Sequence, residues 1–127
     1  MEIEEIGKQI VDSSLKVHKA LGPGLLESAY QACLAHELRV RGLHVDCEVD
    51  QPIEYGSLKI VPGYRLDILV ENSVIIENKS VDSLLPVHEA QLLTYLRMRD
   101  CRLGFLINWN VRLIKNGIRR MVNNLKS

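Results

Sequence analysis

The sequence predicts an α+β fold: a mixed sheet of four or five strands flanked by helices. Helical periodicity fills the first forty residues, two-residue periodicity runs from Leu43 to Lys79, and one more helical segment separates Lys79 from a last apolar run at 102–109. With 127 residues, 46% hydrophobic and 25% charged, the chain fits one domain, 1–127, built on a single core.

Ile3, Ile6, Ile10, Val17 and Leu21 mark an amphipathic helix over 3–21, with Glu2, Glu4 and Glu5 suited to its positive end. Gly22-Pro23-Gly24 breaks it, and a second helix spans about Leu25 to Arg41, stopping at Gly42. Glu27, Tyr30 and Leu34 share one face of that helix. Stabilisation of the helix start would by itself account for Glu27.

Strands are expected over His44–Val49, Ile53–Tyr55 and Leu58–Val61, with Gln51-Pro52 as a kink or edge and Gly56-Ser57 and Pro62-Gly63 as turns. Leu66–Val70 and Val74–Lys79 follow as a hairpin through Glu71, Asn72 and Ser73. A helix over about 87–99, entered at Pro86, crosses over to a buried strand, Arg102–Trp109, parallel to 74–79. Leu92, Leu93 and Leu96 form its apolar stripe, while His88 reads as a helix-start or surface histidine. Trp109 could stack on a base, but core packing is the better reading. In the tail, 111–124, Asn116-Gly117 signals either a hairpin turn or the cap of a short helix.

Net charge is zero, which argues against a protein that coats nucleic acid indiscriminately. Residues 1–63 carry six basic and ten acidic residues, residues 64–127 ten and six. From Arg97 onward Arg97, Arg99, Arg102, Arg112, Lys115, Arg119, Arg120 and Lys126 face only Asp100. They could form a phosphate-facing surface or simply a solvated basic face. No apolar run approaches the roughly 20 residues that span a bilayer, and the acidic start MEIEEIG is no signal peptide. Cys33, Cys47 and Cys101 lack metal-site spacing and read as free buried thiols of a cytoplasmic protein.

The chemistry gathers at Tyr64–Lys79. Asp67, Glu77 and Lys79 interrupt apolar strands, where charges are rare unless paired or bound to metal. Alternation puts Glu77 and Lys79 on one face with Ile75. A three-residue loop, with Asn72 tolerating a left-handed backbone, places Asp67 opposite Glu77. Two carboxylates roughly 5 Å apart at the backbone repel unless a cation lies between them, and oxygen-only ligation suits Mg²⁺ or Mn²⁺. Lys79 stands one step along, placed to orient or help deprotonate a water. The expectation is a carboxylate–metal–lysine hydrolytic site; an ion pair at a sheet edge or an internal ion-pair network would also explain these charges.

GPGLLESAY at 22–30, Tyr64-Arg65-Leu66-Asp67, Glu77-Asn78-Lys79, PVHEAQLLTYL from Pro86 and LINWNV from Leu106 together resemble the GxxExxY proteins, a small-protein branch of the PD-(D/E)XK nuclease superfamily. The likeness covers nearly the whole chain. It implies a restriction-endonuclease-like core and a metal-dependent nuclease acting on nucleic acid, DNA in the first instance. Asp67 and Glu77 would bind Mg²⁺ or Mn²⁺, Glu27 would complete or support that site, and Lys79 would assist the attacking water. Gln91 and Tyr95 resemble a Q-x-x-x-Y element that flanks the site and contacts substrate; Arg119 and Arg120 of the basic face are further candidates for substrate contact. Asn78 departs from the apolar residue usual between Glu and Lys, which bears on core packing more than on chemistry. The alternative is a non-catalytic module binding nucleic acid or protein through its basic C-terminal face.

Overall fold

A computed structural model describes residues 1–123; Asn124 and Lys126, parts of the expected tail and basic face, lie outside the described residues. Nine elements follow one another. Helices α1 (Ile3–Leu21) and α2 (Glu27–Val40) come first. Strands β1 (Val45–Tyr55), β2 (Leu58–Val70) and β3 (Val74–Lys79), helix α3 (Pro86–Arg99), strand β4 (Leu103–Asn108), a 3-10 turn (Ile114–Asn116) and strand β5 (Ile118–Val122) complete the chain. The sheet order is β1-β2-β3-β4-β5, antiparallel throughout except for the parallel β3–β4 pair that α3 connects.

Two apolar layers hold the helices to the sheet. One face packs Ile68, Val70, Val74, Ile76, Phe105 and Ile107 against α1 and α2. The other packs Leu66, Leu69, Ile75 and Leu106 against Leu92, Tyr95 and Leu96 of α3. Because β3 and β4 are covered on both sides, every residue from Val74 to Asn78 and from Leu103 to Asn108 is buried. That is why they read as continuous apolar runs rather than alternating ones. Gly7 lets α1 lie close: a β-carbon there would already touch the side chains of Leu103 and Phe105 at 3.4 Å.

Three expectations need correcting. The strands expected to be separate on either side of Gln51-Pro52 and of Pro62-Gly63 are continuous. Gln51-Pro52 is a kink, as expected, within the single edge strand β1. Pro62-Gly63 is no turn: the two stretches face each other in a bulge inside the long β1–β2 hairpin. Gln51 pairs with Tyr64 and Ile53 with Ile60, so three residues of β2 oppose one of β1. A β-carbon on Gly63 would meet the Ile53 side chain at 2.6 Å, so only glycine lets the backbones approach there. Beyond Trp109, the tail forms both features that the Asn116-Gly117 signal left open: a short helical turn capped at Gly117, then a fifth strand returning along β4. The thiols of Cys33 and Cys47 are half-buried rather than buried; Cys101 is buried, and all three are free.

Trp109 is core. It is fully buried, stacks on Tyr30 at 4.9 Å and 5°, and donates its indole N–H to Asn78 Oδ1 at 2.9 Å. His88 accepts the amide proton of Leu85 on Nδ1 at 3.0 Å, closing the first turn of α3, as a helix-start histidine should.

Candidate active site at the splayed ends of β2 and β3

The loop 71–73 sets the register. Glu71 and Asn72 both take left-handed backbone (φ 51° and 52°), and the amide of Ser73 donates to Val70 O at 2.9 Å. Val70 then pairs with Val74, Leu69 with Ile75, and Ile68 with Ile76. The next pair in this register is Asp67 with Glu77, and there the backbone ladder stops. The Asp67 amide donates to Glu77 Oε2 at 2.9 Å, and the Asn78 amide donates to Asp67 Oδ2 at 2.7 Å. Carboxylates take the place of carbonyls, so the strands splay without orphaned amides.

Each acid thus uses one oxygen to hold the opposite strand, and its second oxygen makes no hydrogen bond among the described residues. Glu77 is 6% exposed. Burial first, and the charge of Asp67 second, push its carboxyl up to about 8, against the Asp67 amide and Lys79. Asp67 is raised as well, chiefly by burial; the Asn78 amide and Lys79 oppose this, and Glu48 and Glu27 add to it. Both acids resist ionising where they stand. A divalent cation at the two free oxygens would relieve that resistance, so the donor set fits Mg²⁺ or Mn²⁺.

Lys79 is half-buried at the end of β3 and makes no ion pair among the described residues, yet its charge lowers both acids. Among the described residues Asp67, Glu77 and Lys79 therefore form no ion-pair network. Glu27 opens α2, exposed, and accepts the amide proton of Ser80 on Oε2 at 3.1 Å; Ser80 Oγ donates to Leu25 O at 2.9 Å. Glu27 thereby ties the start of α2 to the chain just past Lys79, and its charge is felt at Asp67. It lies on the rim: among the described residues no three His, Cys, Asp or Glu side chains converge tightly enough to hold an ion.

Tyr95 approaches from α3. It is 4% exposed, lies 5.7 Å from the Tyr64 ring, and is pushed up to about 12 by burial, then by Glu77, Tyr64 and Asp67. At that value it stays a neutral donor. Gln91, one turn earlier on α3, is half-buried and makes no hydrogen bond among the described residues. Arg119 and Arg120 are adjacent on β5 and so diverge: Arg119 pairs with Glu89 of α3, Arg120 with Glu4 of α1 at 2.7 Å. They do not form one surface, and neither reaches the carboxylates.

Glu48 escaped the sequence reading. In register it stands opposite Asp67, between the Cys47–Ile68 and Val49–Leu66 pairs, but that one pair is missing from the ladder. Its backbone is left-handed at φ 54°, costly for a non-glycine residue. The layers switch at this point. Cys47 and Ile68 pack with α1 and α2, whereas Val49 and Leu66 pack with α3. Strict alternation forbids that over two residues, so the strand pair rolls over at Glu48 and Asp67. The result is a cleft of about 620 Å³ lined by Glu27, Gln31, Arg39, Glu48 and Asp67. A second hollow, about 600 Å³ beside Gly7, Phe105 and Arg120, touches none of these acids.

A model of the PD-(D/E)XK nuclease superfamily matches residues 4–121, from the first turn of α1 into β5. The chain belongs to the PD-(D/E)XK nuclease superfamily. No curated protein and no solved structure matches it. Nucleases of this superfamily are generally dependent on a divalent metal, and superfamily membership suggests nucleic acid as the bound partner. No helix among the described residues is long and apolar enough to cross a membrane.

Proposed function

We propose that this PD-(D/E)XK protein is a metal-dependent phosphodiester hydrolase of the GxxExxY branch, cutting nucleic acid, DNA in the first instance, in the cytoplasm. One observation carries the reading: Asp67 and Glu77 face each other, each with one oxygen that makes no hydrogen bond among the described residues, both unwilling to ionise, beside a Lys79 with no ion-pair partner among those residues. Asp67 and Glu77 would hold Mg²⁺ or Mn²⁺, with Glu27 supporting from the rim. When bound, the ion supplies charge neutralisation at phosphorus and acidifies water.

The chain's own groups do the rest. Lys79, whose charge acts on both acids, orients the attacking water and offsets negative charge developing on the phosphoryl oxygens. Tyr95 offers a neutral hydroxyl to a phosphate or base, with Gln91 one turn away as a second polar contact. The mutual bonds of Asp67 and Glu77 to backbone amides fix their rotamers before substrate arrives. The rival module reading loses ground because Arg119 and Arg120 are paired on opposite layers.

The test is cleavage of single- and double-stranded DNA and of RNA with Mg²⁺ or Mn²⁺. Asp67→Ala, Glu77→Ala and Lys79→Ala should each lower the rate by 100-fold or more, on the order of 3 kcal/mol. Cleavage by the wild type that survives all three changes would remove these residues from the chemistry.

A further inference from the structure

A second site lies at the far end of α1. Lys19 in its last turn, Arg112 before the 3-10 turn and Lys115 on it converge on one cavity of about 470 Å³ together with His18, Gly22 and Pro23. These cations come from opposite ends of the sequence and share one wall only because α1 packs on Ile114. No acid lines the cavity. Neither Lys19, Arg112 nor Lys115 has an ion-pair partner among the described residues. Other basic side chains between Arg97 and Arg120 are occupied: Arg119 and Arg120 by acids, Arg99 by Gln51 Oε1 and Asp50 O, Arg97 by Thr94 Oγ1.

In a chain of zero net charge, three unpaired cations around one hollow are a local excess that needs an account. The C-terminal end of α1 carries roughly half a negative charge, which offsets only a fraction of it. The rim adds apolar surface, Leu15 and Leu113 being 42% and 54% exposed. Cations backed by exposed apolar side chains suit a sugar–phosphate strand better than a small inorganic ion.

We propose that this cavity is a phosphate subsite that grips the backbone of a nucleic-acid strand whose scissile phosphate lies at Asp67 and Glu77. The proposal rests on the nuclease reading for the identity of the strand. The spacing is suitable: Pro23 on the cavity wall and Glu27 on the cleft rim are four residues apart, at most about 14 Å of chain. A strand crossing that distance spans a few nucleotides.

The experiment is fluorescence-anisotropy binding of a labelled single-stranded DNA oligonucleotide to the whole protein in EDTA, across a salt series. Arg112→Glu combined with Lys115→Glu should weaken binding tenfold or more and flatten the salt dependence by about 1.4 for two lost contacts at about 0.7 each. Calorimetric Mg²⁺ or Mn²⁺ binding at Asp67 and Glu77 should be unchanged. Loss of ion binding with oligonucleotide binding intact thus counts against the nuclease reading alone. Should the charge-reversal variant fold poorly, Arg112→Gln with Lys115→Gln serves, with a threefold or greater loss expected. A 5′-phosphorylated strand that binds no tighter than its unphosphorylated twin places an internal phosphate in the cavity; preference for the former places a strand end there. Unaltered affinity and salt slope, a lowered melting temperature with unaltered affinity, or variant-sensitive binding to phosphatidylserine vesicles in place of DNA would each overturn the proposal.

Discussion

Glu77 accepts the amide proton of Asp67 at 2.9 Å while its own ionisation is opposed by the Asp67 carboxylate. The same pair of residues is thus bound through backbone and repelled through charge. The splayed strand end is stable because the hydrogen bonds satisfy two amides, and it is strained electrostatically because two acids share one buried gap.

That strain gives a pH dependence with a definite sign. Below about pH 4.5 the Glu77 carboxyl is protonated in folded and unfolded chains alike. As pH rises toward about 8 the unfolded chain ionises while the folded site keeps its proton, so stability falls; above that value the penalty is complete. In EDTA, urea denaturation should show stability declining from pH 5 to pH 8 by on the order of 3 kcal/mol. Glu77→Gln should flatten the slope. Divalent ion should restore stability most at the alkaline end, and its binding near pH 7 should release a proton, read from calorimetry in two buffers of different ionisation enthalpy.

Glu48 supplies an independent check. A left-handed glutamate facing Asp67 costs backbone energy and adds negative charge to a cleft already rich in it. Glu48→Gly should therefore stabilise the metal-free protein by about 1 kcal/mol in urea. A destabilised variant would mean that the side chain holds the roll of β1 over β2 in place.

The contrast between these residues shows what the sequence makes legible. Asp67 facing Glu77 follows from counting, because a three-residue loop and a period of two leave one register. Glu48 leaves no such mark: Val45, Cys47 and Val49 alternate as if Glu48 faced water, and a single left-handed residue within a strand has no compositional signature. Pro62 and Gly63 misled for the opposite reason. They are turn residues by chemistry, but facing β1 across a hairpin they serve a bulge, a distinction only the partner strand decides. Strand β5 was hidden because Arg119 and Arg120 put charge on both of its faces, each neutralised by an acid remote in sequence.

Asn78, out of pattern for its position, is explained by Trp109. Its side-chain oxygen accepts the indole N–H in a buried layer, although its Nδ2 finds no partner among the described residues. Asn78→Leu should cost about 2 kcal/mol by stranding the indole donor. Trp109→Phe in the same chain should recover part of that loss, since the donor is gone. A double-mutant cycle with no coupling would show the bond to be incidental.

Gly117 is the position where the return of β5 depends on one missing carbon. A β-carbon there would overlap the carbonyl oxygen of Asn108, the last residue of β4, which in turn donates its amide to Gly117 O at 2.8 Å. Asn108 also pairs in register with Lys79 and holds the loop beyond it, its side chain accepting from the Val81 amide at 3.1 Å and donating to Val81 O at 2.9 Å. Backbone cannot yield as a side chain would, so Gly117→Ala should cost about 3 kcal/mol or more. Because the displaced Asn108 borders Lys79, the same change should lower cleavage more than ion affinity. Comparing the rate at saturating Mg²⁺ with the calorimetric affinity separates the two, and equal losses in both would place the damage at Asp67 and Glu77 instead.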